Sequence, residues 1–147
     1  MPPVHDPDLD SPLFLLLPLI SRLFTQDAHR PQPHLTKAQT LILLALASRG
    51  SLHMSQIASF LGSSKEQATR AVAPLADAGL VERFAQPENR TKVFLRLTPD
   101  GMQQVESLHA QFSAQLRARA QDALNEQELQ QLRASAETLI RLLSKLN

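Results

Sequence analysis

Apolar residues crowd the chain in three regions, each with its own spacing. From Leu13 to Phe24 they run almost unbroken: Leu13, Phe14, Leu15, Leu16, Leu17, Leu19, Ile20, Leu23 and Phe24. Ser11-Pro12 just before them offers a cap followed by a proline at the first helical position. A helix is therefore predicted from residue 12 to about 28. Pro18 should bend it, because proline brings no N–H to the ladder. A helix apolar nearly all round has to be buried on several sides, which in a chain of 147 residues points to a second subunit. Residues 1–10 are acidic, contain prolines and show no period; they are expected to form a disordered tail.

The middle region alternates short helical and strand patterns. HRPQPH at 29–34 reads as a loop. Thr36 and Gln39 make a capping-box pair that opens a second helix, with Leu41, Leu44 and Ala45 at a spacing of 3–4 and Gly50 as its end. A short third helix follows at about 54–61, with Ile57, Ala58 and Leu61 inward. Gly62 supplies a turn. Ser63-x-x-Glu66 then reads as a second capping box, opening a fourth helix at 64–78 whose inward stripe is Ala68, Val72 and Leu75. Pro74 is expected to bend this helix beyond its first half. Val81–Phe84 and Val93–Leu97 read as strands flanking a polar loop, AQPENRTK; in the second, Val93, Leu95 and Leu97 alternate with Phe94 and Arg96 at a period of 2.

The last region is helical again. Thr98-Pro99 caps a long helix to about residue 123, with Val105, Leu108, Phe112 and Leu116 on one face. Asn125-x-x-Glu128 opens a final helix, where Leu129, Leu132, Ala136, Leu139, Leu143 and Leu146 step by 3 and 4 as in a coiled-coil seam. The resulting fold class is mainly α with a small β-hairpin wing: a winged helix-turn-helix at 36–98, and a helical dimerisation region at 11–35 and 99–147.

Composition narrows the function. There is no cysteine, which removes disulfides, thiolate zinc sites and thiol redox switches. The core must be aliphatic, because the chain has six Phe and neither Trp nor Tyr. The apolar run at 13–20 follows the acids Asp6, Asp8 and Asp10 and soon meets Arg22. It is neither a signal peptide nor long enough to span a bilayer, so a cytoplasmic protein without a membrane partner is expected. Net charge is +1, yet residues 36–98 carry eight basic against four acidic groups, a local net of +4. That asymmetry suits a DNA-reading centre with flanking helices for another task.

In a helix-turn-helix the second helix enters the major groove by its N-terminal half. That half here offers Ser64, Lys65, Gln67, Thr69 and Arg70 away from the inward stripe. Gln can pair an adenine edge, Lys or Arg a guanine edge, and Ser or Thr a phosphate or a thymine methyl. Glu66 is explained by its capping role. Thr36 and Lys37, and Ser55 and Gln56, stand at the starts of the second and third helices, where they can hold phosphates or simply cap. In the wing loop, Asn89, Arg90 and Lys92 are candidates for the minor groove. The alternatives, a solvated helix face and a flexible charged loop, fit the composition less well once the elements are taken in order. Glu106 and His109 lie three apart on one face, but no second pair completes a metal site. There is no nucleophile elbow and no phosphate-cradling glycine loop. No enzyme activity, metal or cofactor is expected.

The residues LTKAQTLILLALASRGSL, SQIASFLG, LADAGLVER and LRLTPDG together resemble the MarR family of bacterial transcriptional regulators. The likeness covers residues 36–101, and the order of elements extends it to nearly the whole chain. It implies an obligate homodimer in which the first, fifth and sixth helices interlock, here through Leu13, Phe14, Leu17, Ile20, Leu129, Leu132, Leu139, Leu143 and Leu146. It also implies a pseudo-palindromic double-stranded operator, repression, and release by a small aromatic or anionic effector. Two features depart from the family. Its wing usually reads Asp-x-Arg, where this chain has Asn89-Arg90-Thr91. Its Tyr- and Trp-lined ligand pockets have only Phe to draw on here. The weakened wing supports a runner-up function: a dimeric winged-helix module that binds a protein and has lost specific DNA binding.

Overall fold

The computed structural model describes residues 7–24 and 35–146. They divide into two compact units, one of residues 7–24 and 111–146, the other of residues 35–110. The predicted loop at 29–34 and the predicted end of the first helix at 25–28 lie outside the described residues.

The second unit contains α2 (Lys37–Arg49), β1 (Ser51–His53), α3 (Met54–Leu61), α4 (Lys65–Asp77), β2 (Val81–Gln86) and β3 (Asn89–Leu97). Its core is aliphatic. Ile42, Leu43 and Leu46 of α2, Ile57 of α3, Val72 and Leu75 of α4, and Leu95 of β3 are essentially inaccessible. The α4 stripe of Ala68, Val72 and Leu75 is as predicted. The stripe on α2 is not: Ile42, Leu43, Ala45 and Leu46 point inward, Leu44 is half-buried and Leu41 is exposed. LILLALA is apolar at almost every position, so its period could not select a face.

The helix ends follow from capping. Thr36 Oγ1 accepts from the Gln39 N–H at 3.2 Å, and Gln39 Oε1 accepts from the Thr36 N–H at 2.9 Å. The predicted Ser63–Glu66 box does not form. The pair is Ser64 and Gln67, one residue later. Ser63 instead completes the end of α3: its N–H donates to the Ala58 carbonyl at 2.9 Å, beyond Gly62 in the left-handed conformation at φ 60°. Ser64 is therefore the first serine free to cap α4. Pro74 lies inside α4, which continues to Asp77.

The sheet has three strands in the order β1-β3-β2, all antiparallel. β1 is an addition to the sequence reading, since three residues are too few to display alternation. The predicted eight-residue loop is also replaced. The strands run on to a two-residue turn, Pro87-Glu88, with Gln86 opposite Asn89. The next pair is Ala85 opposite Val93, so Arg90, Thr91 and Lys92 bulge from β3 with no residue facing them.

The hairpin returns into α5 (Pro99–Ala123) through a tight joint. The Thr98 N–H donates to the Leu80 carbonyl at 3.1 Å, and the Thr98 hydroxyl donates to the Gly79 carbonyl at 2.5 Å. The same hydroxyl oxygen accepts from the Gly101 N–H at 3.0 Å. A Cβ at Gly101 would run into the Leu80 carbonyl oxygen. The Thr-x-x-Gly spacing thus serves both a cap and a close backbone approach.

The first unit contains α1 (Pro7–Phe24), the end of α5 and α6 (Glu126–Leu143). α1 begins at Pro7, so the expected tail is helical over residues 7–10. Pro7 takes the first helical position, where its missing N–H costs nothing. Pro12 and Pro18 lie inside the helix. α6 opens with the predicted Asn125–Glu128 box, at 2.8 and 2.9 Å. Of the predicted interface residues, Phe14, Leu17, Ile20, Leu129, Leu132, Leu143 and Leu146 are exposed in the single chain, while Leu13 and Leu139 are half-buried. Leu146 lies past the helix end. Ile140, 67% exposed, extends the apolar face of α6.

Candidate nucleic-acid interface

The N-terminal half of α4 is exposed from Ser64 to Arg70, except for the inward Ala68. Its polar groups are not equally available. Ser64 Oγ accepts from the Gln67 N–H at 3.2 Å, and Gln67 Oε1 accepts from the Ser64 N–H at 3.3 Å. The Gln67 amide NH2 and the second lone pair of Oε1 remain to meet a base edge. The Thr69 hydroxyl donates to the Lys65 carbonyl at 2.8 Å, which leaves its methyl and an oxygen lone pair outward. Lys65 and Arg70 take part in none of the ion pairs among the described residues. Both are cations held on a capped, rigid helix.

Glu66 loses the role assigned to it from sequence. The cap belongs to Gln67, and Glu66 stands exposed in the first turn. A carboxylate there suits the helix dipole but repels phosphate.

Two other helix starts were candidates. Thr36 is occupied in the α2 cap, with Lys37 exposed beside it. Ser55 and Gln56 are exposed at the start of α3. Gln56 is half of a capping box that sequence reading missed: its Oε1 accepts from the His53 N–H at 3.0 Å, and its N–H donates to His53 Nδ1 at 3.3 Å. Histidine is absent from the usual capping residues, so the sequence alone carries no signal for this box.

In the wing, Arg90 and Lys92 are exposed within the bulge, and Asn89 is half-buried beside the turn. The Thr91 hydroxyl donates to Asn89 Oδ1 at 2.9 Å. Asn89 and Thr91 thus form a hydrogen-bonded pair, but an uncharged one. Behind the bulge, one row crosses the sheet from His53 through Phe94 to Phe84. His53 meets Phe94 edge-on at 5.6 Å, and Phe84 lies 5.9 Å from Phe94. Arg96 covers Phe84 at 4.7 Å and pairs with Glu82 at 2.6 Å. Burial lowers the His53 pKa from its ordinary value, and the positive charges of Lys92 and Lys65 lower it further. One imidazole therefore feels both the wing and the recognition helix.

Among the described residues no group of three or more metal-binding side chains comes together, and no helix is long and apolar enough to cross a membrane. Each unit has an open depression. One is lined by Leu80, Asp100, Gln103, Gln104 and Ser107, and the other by Ser113, Leu116, Arg117, Ala120 and Leu129.

Residues 35–93 match the model of the MarR family, whose members are transcriptional regulators and not enzymes. No curated protein matches the chain. Among solved structures, the chain is similar to apo wild-type MarR of E. coli, with 20% identity over 89% of this chain and 95% of that one and a TM-score of 0.73. The regulator Tm0710 of Thermotoga maritima is 22% identical over 91% and 98%, with a TM-score of 0.65. BpsR of Bordetella bronchiseptica, whose DNA binding is regulated by 6-hydroxynicotinic acid, is 26% identical over 92% and 99%, with a TM-score of 0.60.

Proposed function

We propose, from the premise that residues 35–93 form a MarR-family domain, that this transcriptional regulator is a homodimer binding a pseudo-palindromic double-stranded operator. The observation that carries this reading is the N-terminal half of α4: capped, exposed, and presenting Lys65, Gln67 and Arg70 outward. One α4 per subunit would read one half-site, with half-sites about one helical turn apart. Lys65 and Arg70 suit guanine edges or phosphates and the Gln67 amide suits an adenine edge. Ser64, Thr69, Thr36, Lys37, Ser55 and Gln56 serve as phosphate or methyl contacts. Asn89, Arg90 and Lys92 make the wing contact, with Arg90 and Lys92 supplying the charge.

Dimerisation is assigned to residues 11–35 and 99–147. Its support is the exposed apolar face of α1 and α6, which a second copy would cover. Action as a repressor in the cytoplasm completes the reading. Release would follow a small aromatic or anionic effector that binds one spacing of the two α4 helices better than another. The regulation stated for BpsR fits an effector of that class.

A fluorescence anisotropy titration with DNA from upstream of its own gene tests the proposal. Competitor-resistant, salt-sensitive binding is expected. Its absence would favour the second reading, a winged-helix module that dimerises and binds a protein. The uncharged Asn89–Thr91 pair is the observation on that side.

A further inference from the structure

His53 belongs to none of the contact sets described above, yet it stands where three of them meet. It ends β1 and caps α3. Its ring packs edge-on against Phe94 of β3. Phe94, its cross-strand partner, follows Lys92 of the wing bulge by two residues, and the charges of Lys92 and of Lys65, at the first turn of α4, reach the ring. The α3 cap also fixes its chemistry. Nδ1 accepts from the Gln56 N–H, so the ring nitrogen carrying the proton is Nε2. That N–H has no hydrogen-bond partner among the described residues. Burial, and after it the charges of Lys92 and Lys65, disfavours the protonated ring.

We propose that His53 is a phosphate-binding residue, its Nε2–H donating to a DNA backbone oxygen held between Lys65 and Lys92. This rests on the DNA-binding reading above. The assignment has a physical logic. A lysine is a flexible point charge, whereas a ring locked by a cap and an aromatic neighbour is a directed donor. One phosphate held by a group from each of α4, the wing and the β1–α3 corner would fix the recognition helix and the wing in register on the duplex. No carboxylate is among the groups shifting the imidazole, and Phe94 and Gln56, its neighbours on β3 and α3, carry no charge.

The test is His53→Asn. Asparagine keeps an N-cap acceptor, and its shorter amide cannot carry an N–H to the position of Nε2. The probe is the tightest-binding duplex selected from random-sequence double-stranded DNA. The variant should still unfold cooperatively, with a midpoint well above the assay temperature, and lose roughly tenfold in affinity, the range for a hydrogen bond to a charged acceptor. Its salt dependence should stay as steep as wild type, because no cation has been removed. Lys92→Gln should instead make the salt dependence shallower. A second measurement needs no variant: in the wild-type protein, the imidazole 15N–1H resonance of His53 should shift and become protected when the duplex is added. Wild-type affinity in His53→Asn, or an unmoved Nε2 resonance in the complex, overturns the assignment while leaving DNA binding intact. If the wild-type chain selects no duplex, the assignment falls together with the DNA-binding reading.

Discussion

Single atoms decide several properties of this chain. At Gly101 an added methyl would meet the backbone carbonyl of Leu80 and lie 3.2 Å from the Leu97 side chain. A backbone atom cannot step aside as a flexible side chain can. Gly101→Ala should therefore cost about 1–3 kcal/mol, read as a lowered urea midpoint; an unchanged midpoint would refute the close approach. His53 carries a pH dependence whose sign is fixed. Its pKa is lowered in the folded chain, so the unfolded chain binds the proton more readily. The stabilising effect is complete above the ordinary histidine value of about 6.5 and is lost as pH falls through the lower folded value. Urea unfolding from pH 8 to 5 should show this loss, and His53→Asn should flatten that part of the curve. Arg70 is exposed and stands outside the ion pairs among the described residues. Arg70→Ala should weaken operator binding by roughly 1–3 kcal/mol and relax the preference at one base position. Equal affinity and equal preference would remove it from the contact set.

Among the elements, the wing is where the structure most changes expectation. A polar loop would have left Arg90 and Lys92 free to wander. The hairpin instead pairs its strands to the turn and confines both cations to a three-residue bulge. Arg90→Ala should make the salt dependence of binding shallower by about one phosphate contact. A slope equal to that of wild type would mean that Arg90 touches no DNA. The elements that could be read from sequence have strong local signals: the Thr36 and Asn125 boxes, Gly62, and the spaced stripe of α4. What could not be read depends on partners distant in the chain. β1 exists because Phe94–Arg96 offers it an edge. The α4 cap was ambiguous because Ser63-x-x-Glu66 and Ser64-x-x-Gln67 satisfy one pattern, and only the α3 end, by using Ser63, selects between them. The candidate contact residues were legible as types, Lys, Gln and Arg on an outward helix face. Their availability was not, because Ser64, Gln67 and Thr69 spend part of their bonding on the backbone.

For the whole molecule, the apolar faces of α1 and α6 matter most. Phe14 at 73% and Leu17 at 68% exposure are costly to leave in water, at about 1.5–3 kcal/mol for each large side chain. Covering them with a second copy would bring two α4 helices into one assembly. Leu17→Glu with Ile140→Lys should raise the dimer dissociation constant roughly tenfold or more, seen by sedimentation. Operator affinity should fall with it if paired half-sites are read. A variant that remains dimeric would place the interface elsewhere.

The joint at Thr98 and Gly101 has a mechanical consequence. Two hydrogen bonds run from Thr98 to the carbonyls of Gly79 and Leu80, a third ties the Gly101 N–H to the Thr98 hydroxyl, and Gly101 lies against the Leu80 carbonyl, just before β2. A joint so tied has no slack. The base of α5 and the root of the hairpin should therefore turn together, so that a displacement at the foot of α5 is felt at the start of β2.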